Sequence, residues 1–304
     1  MRSVGTLRAI DRAFSVPTRP QTSFARPTWA VTTIFDRHAK SDSVNTTVRR
    51  DLSVSYDRIG NVHASQGSLN EALAAYHAAL TIRKGLVGLD PTNTVWQRDL
   101  SVSYDRIGNV LMNQGGSLEA LTAYRASLTI REALAGSDRT NVLWQHDLSV
   151  AQSKVGDAQA RLGSLGDALG SYRASLVIGE RLVGPNSSNP GWLRDLSVTH
   201  NRIGDVQASQ GNLSDALHSY QNGMNIRGLL IKSDPNNVAW RRDLAVSHAR
   251  LAWAYRTGGR LPEARHYLRN GREIISELTQ QLPHLVRWKQ ELGWFDREIA
   301  EVAQ

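Results

Sequence analysis

The sequence predicts an all-α repeat array, a solenoid of antiparallel helix pairs, on three observations. Residues 50–62 and 98–110 both read RDLSVSYDRIGNV, and Trp96, Trp144, Trp192, Trp240 and Trp288 follow one another at intervals of 48 residues. A fixed period of this size marks stacked units, each burying its core only against its neighbours. Asn45, Asn93, Asn141, Asn189 and Asn237 recur at one phase, and Gly67, Gly115, Gly163, Gly211 and Gly259 at another. Between them apolar residues step by threes and fours, the spacing of a single helix face.

Residues 1–28 carry five Arg with Pro17, Pro20 and Pro27 and hold no helical period, the composition of a disordered basic leader; an organellar transit peptide is the alternative. Residues 29–44 read as a degenerate half-repeat. Set 96 residues downstream, the stretch matches at Ala30, Thr33, Ile34, Ala39, Ser41, Asp42 and Asn45, so it is a remnant of a second helix. Five repeats follow at 45–92, 93–140, 141–188, 189–236 and 237–284, and residues 285–304 form a capping helix.

Within a repeat, the Asn caps helix A, because its side chain accepts an orphan N–H of the first turn. Trp96, Leu100, Ile107 and Leu111 make the apolar face, and the Gly at the end permits the left-handed turn that stops the helix. Helix B carries Leu69, Ala72, Leu73, Tyr76 and Leu80 as its stripe, and a stretch such as Gly88 to Pro91 or Asp234-Pro235 returns the chain to the next Asn. The Trp at the start of each helix A is expected to be a packing wedge between repeats.

Composition narrows the function. The chain is 40% hydrophobic and 21% charged, ordinary for a folded protein. With no Cys there is no disulfide framework, thiolate metal site or cysteine nucleophile, and a reducing compartment, the cytoplasm, fits. No stretch is long and apolar enough for a membrane span or a signal peptide. The net charge of +8 is half accounted for by residues 1–47, seven basic residues against three Asp, so the array itself lacks the basic stripe of a nucleic-acid binder. Its glycines serve repeating turns, not a phosphate loop, and no nucleophile motif stands out. His200 and His248 occupy the phase of Tyr56 and Tyr104 and lack a third ligand. The expectation is a non-enzymatic protein without metal or cofactor.

The pattern resembles the tetratricopeptide repeat, carried by Ile59, Gly60, Ala72, Tyr76 and Ala79 and again by Ile107, Gly108, Ala120, Tyr124 and Ser127. The period is longer than that family's usual 34 residues, as in the elongated repeats of kinesin light chains and of arrays in bacterial signalling proteins. The resemblance implies a right-handed superhelix that scaffolds protein–protein interaction, its first helices lining a groove for a peptide or partner segment. Carried over, the groove positions are Asp57, Arg58 and Asn61; Asp105, Arg106 and Asn109; Ser153, Lys154 and Asp157; Asn201, Arg202 and Asp205. Asn offers donor and acceptor to a peptide backbone, and the basic ladder of Arg58, Arg106, Lys154, Arg202 and Arg250 offers charge to an acidic partner. The competing expectation is that Lys154 pairs with Asp157 and Arg202 with Asp205 along their own helix, leaving a self-neutralised face. A regulatory arm of a larger signalling protein, with no ligand of its own, is the alternative function.

Overall fold

A computed structural model describes residues 45–184 and 189–303; the leader and the half-repeat lie outside the described residues. Among the described residues there are eleven helices and no strand. In order they are α1 (Thr46–Ser65), α2 (Leu69–Leu89), α3 (Thr94–Gln114), α4 (Ser117–Ser137), α5 (Val142–Arg161), α6 (Leu165–Val183), α7 (Pro190–Ser209), α8 (Leu213–Ser233), α9 (Val238–Thr257), α10 (Leu261–Gln281) and α11 (Val286–Val302). Odd-numbered helices are of type A and even-numbered ones of type B. They divide between two compact bodies, one holding α1 to α5 and the other α6 to α11.

The boundaries follow the chemistry of the two recurring phases. Each Asn cap sits in extended backbone and accepts, through Oδ1, the N–H of Val48, Trp96, Trp144, Trp192 or Trp240 at 3.1 to 3.3 Å. Gly67, Gly115, Gly163, Gly211 and Gly259 all take φ between +76° and +88°, where a Cβ is strained. One boundary differs from expectation: α2 continues through Gly88 to Leu89, and the exit is made by Asp90. Its carboxylate accepts both the N–H and the hydroxyl of Thr92, at 2.9 and 2.6 Å, which closes the turn toward Asn93.

Helix A and helix B pack closely because one side of the contact has no side chain. A Cβ on Gly108 or Gly204 would come within 2.5 Å of the ring of Tyr124 or Tyr220, and Gly60 is set against Tyr76 in the same way. Only glycine leaves room for the ring. In the fifth repeat both partners change together, to Ala252 and Leu268.

In the first body the core is built from residues such as Tyr76, Leu80, Leu100, Ile107 and Val110, followed by a second cluster around Tyr124 and Val155. In the second it runs through Tyr220, Leu251, Trp253, Leu268 and Ile275 to Trp288, Trp294 and Phe295 of α11. Glu291 of α11 is fully buried between Arg242 and Arg287, each 2.8 Å away. Burial pushes its carboxyl up to about 7, against the pull of Arg242.

The Trp lattice is less buried than a packing wedge requires. Trp96, Trp144, Trp192 and Trp240 are half-buried, and only Trp288, at 5% exposure, belongs to a core cluster. Each Trp stands on the first turn of its helix, and Trp288 differs in sharing a core cluster with two further aromatics of α11, Trp294 and Phe295. Trp288→Ala should therefore cost about 3 to 5 kcal/mol in chemical denaturation, the range for a core aromatic. Trp144→Ala should cost less than half as much, and equal losses would contradict this reading.

Candidate functional site

The predicted groove residues lie on helix A, but they stand at three depths. Asp57 and Asp105 are only 4% and 5% exposed, so they form the floor of the site and do not reach its surface. Arg106 and Lys154 are half-buried above them, and Arg58, Asn61 and Asn109 are exposed.

Each floor carboxylate is shared by two cations. Asp57 lies 2.6 Å from Arg83 of α2 and 3.0 Å from Arg106 of α3. Asp105 lies 2.8 Å from Arg131 of α4 and 3.1 Å from Lys154 of α5. One acid thus joins both helices of its own repeat to helix A of the next. Two cations thus converge on each floor acid, and in the second cluster the carboxylate of Asp157 also acts on Lys154. Burial holds the Lys154 ammonium below its usual pKa despite Asp105, the mark of an incompletely compensated cation. The second oxygens of the two acids, Asp57 Oδ1 and Asp105 Oδ1, are buried without a hydrogen-bond partner within the protein.

The upper cations also cover the tyrosines of the repeat before them. Arg106 stands 5.8 Å from the Tyr76 ring centre, Lys154 5.7 Å from that of Tyr124, and Arg202 6.0 Å from that of Tyr172. Beneath them the Tyr76 and Tyr124 hydroxyls donate to Oδ1 of Asn61 and Asn109 at 2.8 Å. Tyr220 makes the same bond to Asp205, whose carboxylate can only accept, so the tyrosine is the donor throughout. The amide oxygens of Asn61 and Asn109 are thereby occupied, and their N–H groups are left at the surface.

Cross-repeat pairs stand beside any pairing along one helix, and the charge of Asp157 also acts on Lys154. Lys154 reaches back to Asp105, and Asp205 receives Arg250 of α9 at 3.1 Å, both across a repeat boundary. Asp157 and Arg202 are half-buried in the corresponding places. In the third and fourth repeats the acid has moved one helical turn, from the phase of Asp57 to that of Asn61, with Ser153 and Asn201 left at the floor; the fifth has Ala249 and Trp253 and no acid at either phase. The partner on helix B changes in step: Arg83 with Asp57, Arg131 with Asp105, Gly179 with Ser153, Arg227 with Asn201, Ile275 with Ala249.

Arg227 is the exception to charge balance. It is buried without a carboxylate of its own, donating to the Asp243 carbonyl at 2.7 Å and the Ser247 hydroxyl at 2.5 Å. The Asn201 amide, with its oxygen turned toward the guanidinium, accepts at 3.0 Å. Burial lowers the Arg227 pKa to about 10.

A second ladder, outside the predicted groove positions, ties the repeats together. The Arg-Asp dipeptide that opens every motif but the third, where His146 replaces the Arg, works across repeats: Arg50 bonds Asp99 at 2.7 Å, Arg98 bonds Asp147 at 2.5 Å, Arg194 bonds Asp243 at 3.0 Å and Arg242 bonds Glu291 at 2.8 Å. Its signal was the recurrence of adjacent opposite charges at the repeat period, which is wasted within a helix because neighbours in sequence do not face each other.

The two phase-matched histidines are both buried and each has its own neighbour, His218 for His200 and His266 for His248. His248 lies 5.7 Å from the Tyr267 ring, and burial pushes it down to about 4. Among the described residues no group of three or more His, Asp or Glu side chains could hold a metal ion. No described helix is long and apolar enough to cross a membrane.

This geometry is that of a known repeat class. A tetratricopeptide-repeat family model matches residues 52–93 and 100–140, and those two stretches are tetratricopeptide repeats. No curated protein matches it. Among solved structures it is similar to BtubC (BKLC) from P. vanneervenii, with a TM-score of 0.66 and 16% identity over 85% of this chain and 93% of that one. It is similar also to the apo form of RapI, with a TM-score of 0.59 and 12% identity over 82% and 59% of the two chains. A P. anserina protein described as kinesin light chain nearly identical TPR-like repeats gives 0.56 and 15% over 76% and 98%. At these identities the likeness is one of fold, an all-α helical repeat array.

Two outcomes test the electrostatics. Asn201→Asp should restore to Arg227 the carboxylate that Arg83 and Arg131 possess and stabilise the protein by about 1 to 2 kcal/mol, the scale of a charged hydrogen bond; a fall in melting temperature would contradict it. His248 is neutral in the fold down to about pH 4 but protonates near pH 6.5 when unfolded, so its contribution to stability is intact above pH 6.5 and is lost as pH falls toward 4. The loss is about 3 kcal/mol over that window, and denaturation of His248→Gln should show a correspondingly smaller decline than wild type.

Proposed function

We propose that the protein binds an extended, acidic segment of a partner protein along the helix-A face of α1, α3 and α5. The observation that carries this reading is the pair Asn61 and Asn109: exposed, one repeat apart, and oriented by Tyr76 and Tyr124 so that their N–H groups remain free to donate to backbone carbonyls of a bound chain. The cations beside them, two on each of Asp57 and Asp105, together with exposed Arg58, support an acidic ligand. Preorganisation of the amides lowers the entropy lost on binding. The cytoplasm is the proposed setting for this scaffold, and a signalling role is one use of it.

Arg106 supports the alternative, an array without a ligand of its own, because the cation is already engaged in joining repeats. Reversing its charge would disturb packing as well as binding, so the informative substitutions are at the exposed positions. A library of extended peptides displayed against the purified protein should enrich Asp and Glu, with affinity falling steeply as salt rises. Asn61→Ala with Asn109→Ala should weaken the selected peptides at least tenfold at unchanged helical circular dichroism. No enrichment, or binding indifferent to both Asn substitutions, would favour the ligand-free array.

A further inference from the structure

The ladder of cations along helix A has one odd rung. Its members are Arg58, Arg106, Lys154, Arg202 and Arg250, in a chain whose 36 basic residues comprise 31 Arg and five Lys. A guanidinium stays charged, whereas a desolvated lysine gives up its proton more readily and its free amine attacks carbonyl carbons. At a half-buried position the exchange of Arg for Lys is therefore a change of chemistry.

The surroundings of Lys154 supply what such an attack needs. Its side chain is 22% exposed, which leaves the amine open to a small reagent, and Nζ lies 3.1 Å from the Asp105 carboxylate and 5.7 Å from the Tyr124 ring centre. Asp105 is held from the other side by Arg131 at 2.8 Å, and its Oδ1 is buried with no hydrogen-bond partner within the protein. A proton acceptor thus stands beside the amine. Burial lowers the ammonium pKa, Asp105 opposes the fall, Arg131 adds to it and Asp157 opposes it, and the balance is a fall. The remaining lysines of the described residues, Lys84, Lys232 and Lys289, are exposed.

We propose that Lys154 is a modification site, acylated by small acyl thioesters, and that its acylation weakens the binding of acidic segments to the helix-A face. The ammonium first gives one proton to water. The free amine then attacks the thioester carbonyl, and the N–C bond forms as the C–S bond breaks. The second proton leaves the nitrogen for Asp105 and passes to the departing thiolate, which is released as a thiol. The product is a neutral amide, so Asp105 keeps Arg131 as its cation and the charge over Tyr124 is lost. Arg106, at the same phase one repeat earlier, has no amine to acylate. The effect on binding rests on the acidic ligand proposed above; the reactivity of Lys154 does not.

The full chain, incubated with the acetyl thioester of N-acetylcysteamine and analysed by peptide mass spectrometry, should acetylate Lys154 faster than Lys84, Lys232 and Lys289 by about fivefold or more. Equal or slower reaction at Lys154 would overturn the proposal, whatever peptides the protein binds. The second arm measures affinity for the acidic peptides selected by wild type. Lys154→Gln, which resembles the neutral amide, should bind them about tenfold more weakly than Lys154→Arg at matched helical circular dichroism, the loss expected for one charged hydrogen bond. Equal affinity of the two variants would overturn the effect on binding. If wild type selects no acidic peptide, that effect falls together with the ligand it rests on, while the labelling rates still decide the site.

Discussion

One carboxylate set beneath two cations at the boundary of two repeats is the constraint on which the first body depends. Asp57 faces Arg83 from its own helix B and Arg106 from the next helix A, so three helices meet on a single charge. Buried ions repay desolvation only when their partners are held in place, and removing one partner strands the others at a cost of about 3 to 5 kcal/mol. Packing and charge are therefore coupled. A repeat cannot shift along its neighbour without uncovering an ion, which fixes a register that apolar stripes alone define loosely.

The same geometry separates residues that hold the array from residues left for a partner. Arg106 and Lys154 contribute to both, neutralising the floor acids as the second cation at each boundary. Asn61 and Asn109 do neither: their oxygens steady a tyrosine, and their donors face outward. In the second body the acid stands a turn further along, where Asp205 takes both Tyr220 and Arg250. There a carboxylate stands where Asn61 and Asn109 offer an outward donor, so the repeat around Asp205 presents a different surface from those around Asp57 and Asp105.

Much of the fold was legible because its determinants are local. Asn caps, left-handed glycines and the small residue opposite each tyrosine act within a few residues or within one helix pair, and each recurs at the repeat period. The depth of the site residues was not legible. Asp57 and Asn61 are both polar and one turn apart on helix A, yet one is buried and one exposed, because Arg83 arrives over the first from 26 residues away. The Trp lattice misled for a related reason: periodicity shows that a residue repeats, but not how far a first-turn position extends beyond the neighbouring helix.

By itself, then, the sequence determined the repeat, the helix boundaries and the pairing of helices within each repeat, since capping and close approach are short-range physics written in residue type. Only the tertiary structure decided which charges pair, because Arg50 with Asp99 and Lys154 with Asp105 meet across 49 positions and every repeat offers several candidates at similar spacing. It also decided that two identical motifs differ in exposure. Burial belongs to the neighbour that covers a helix: on α3 it is α2 whose Arg83 reaches Ser103 and whose Tyr76 lies against Arg106.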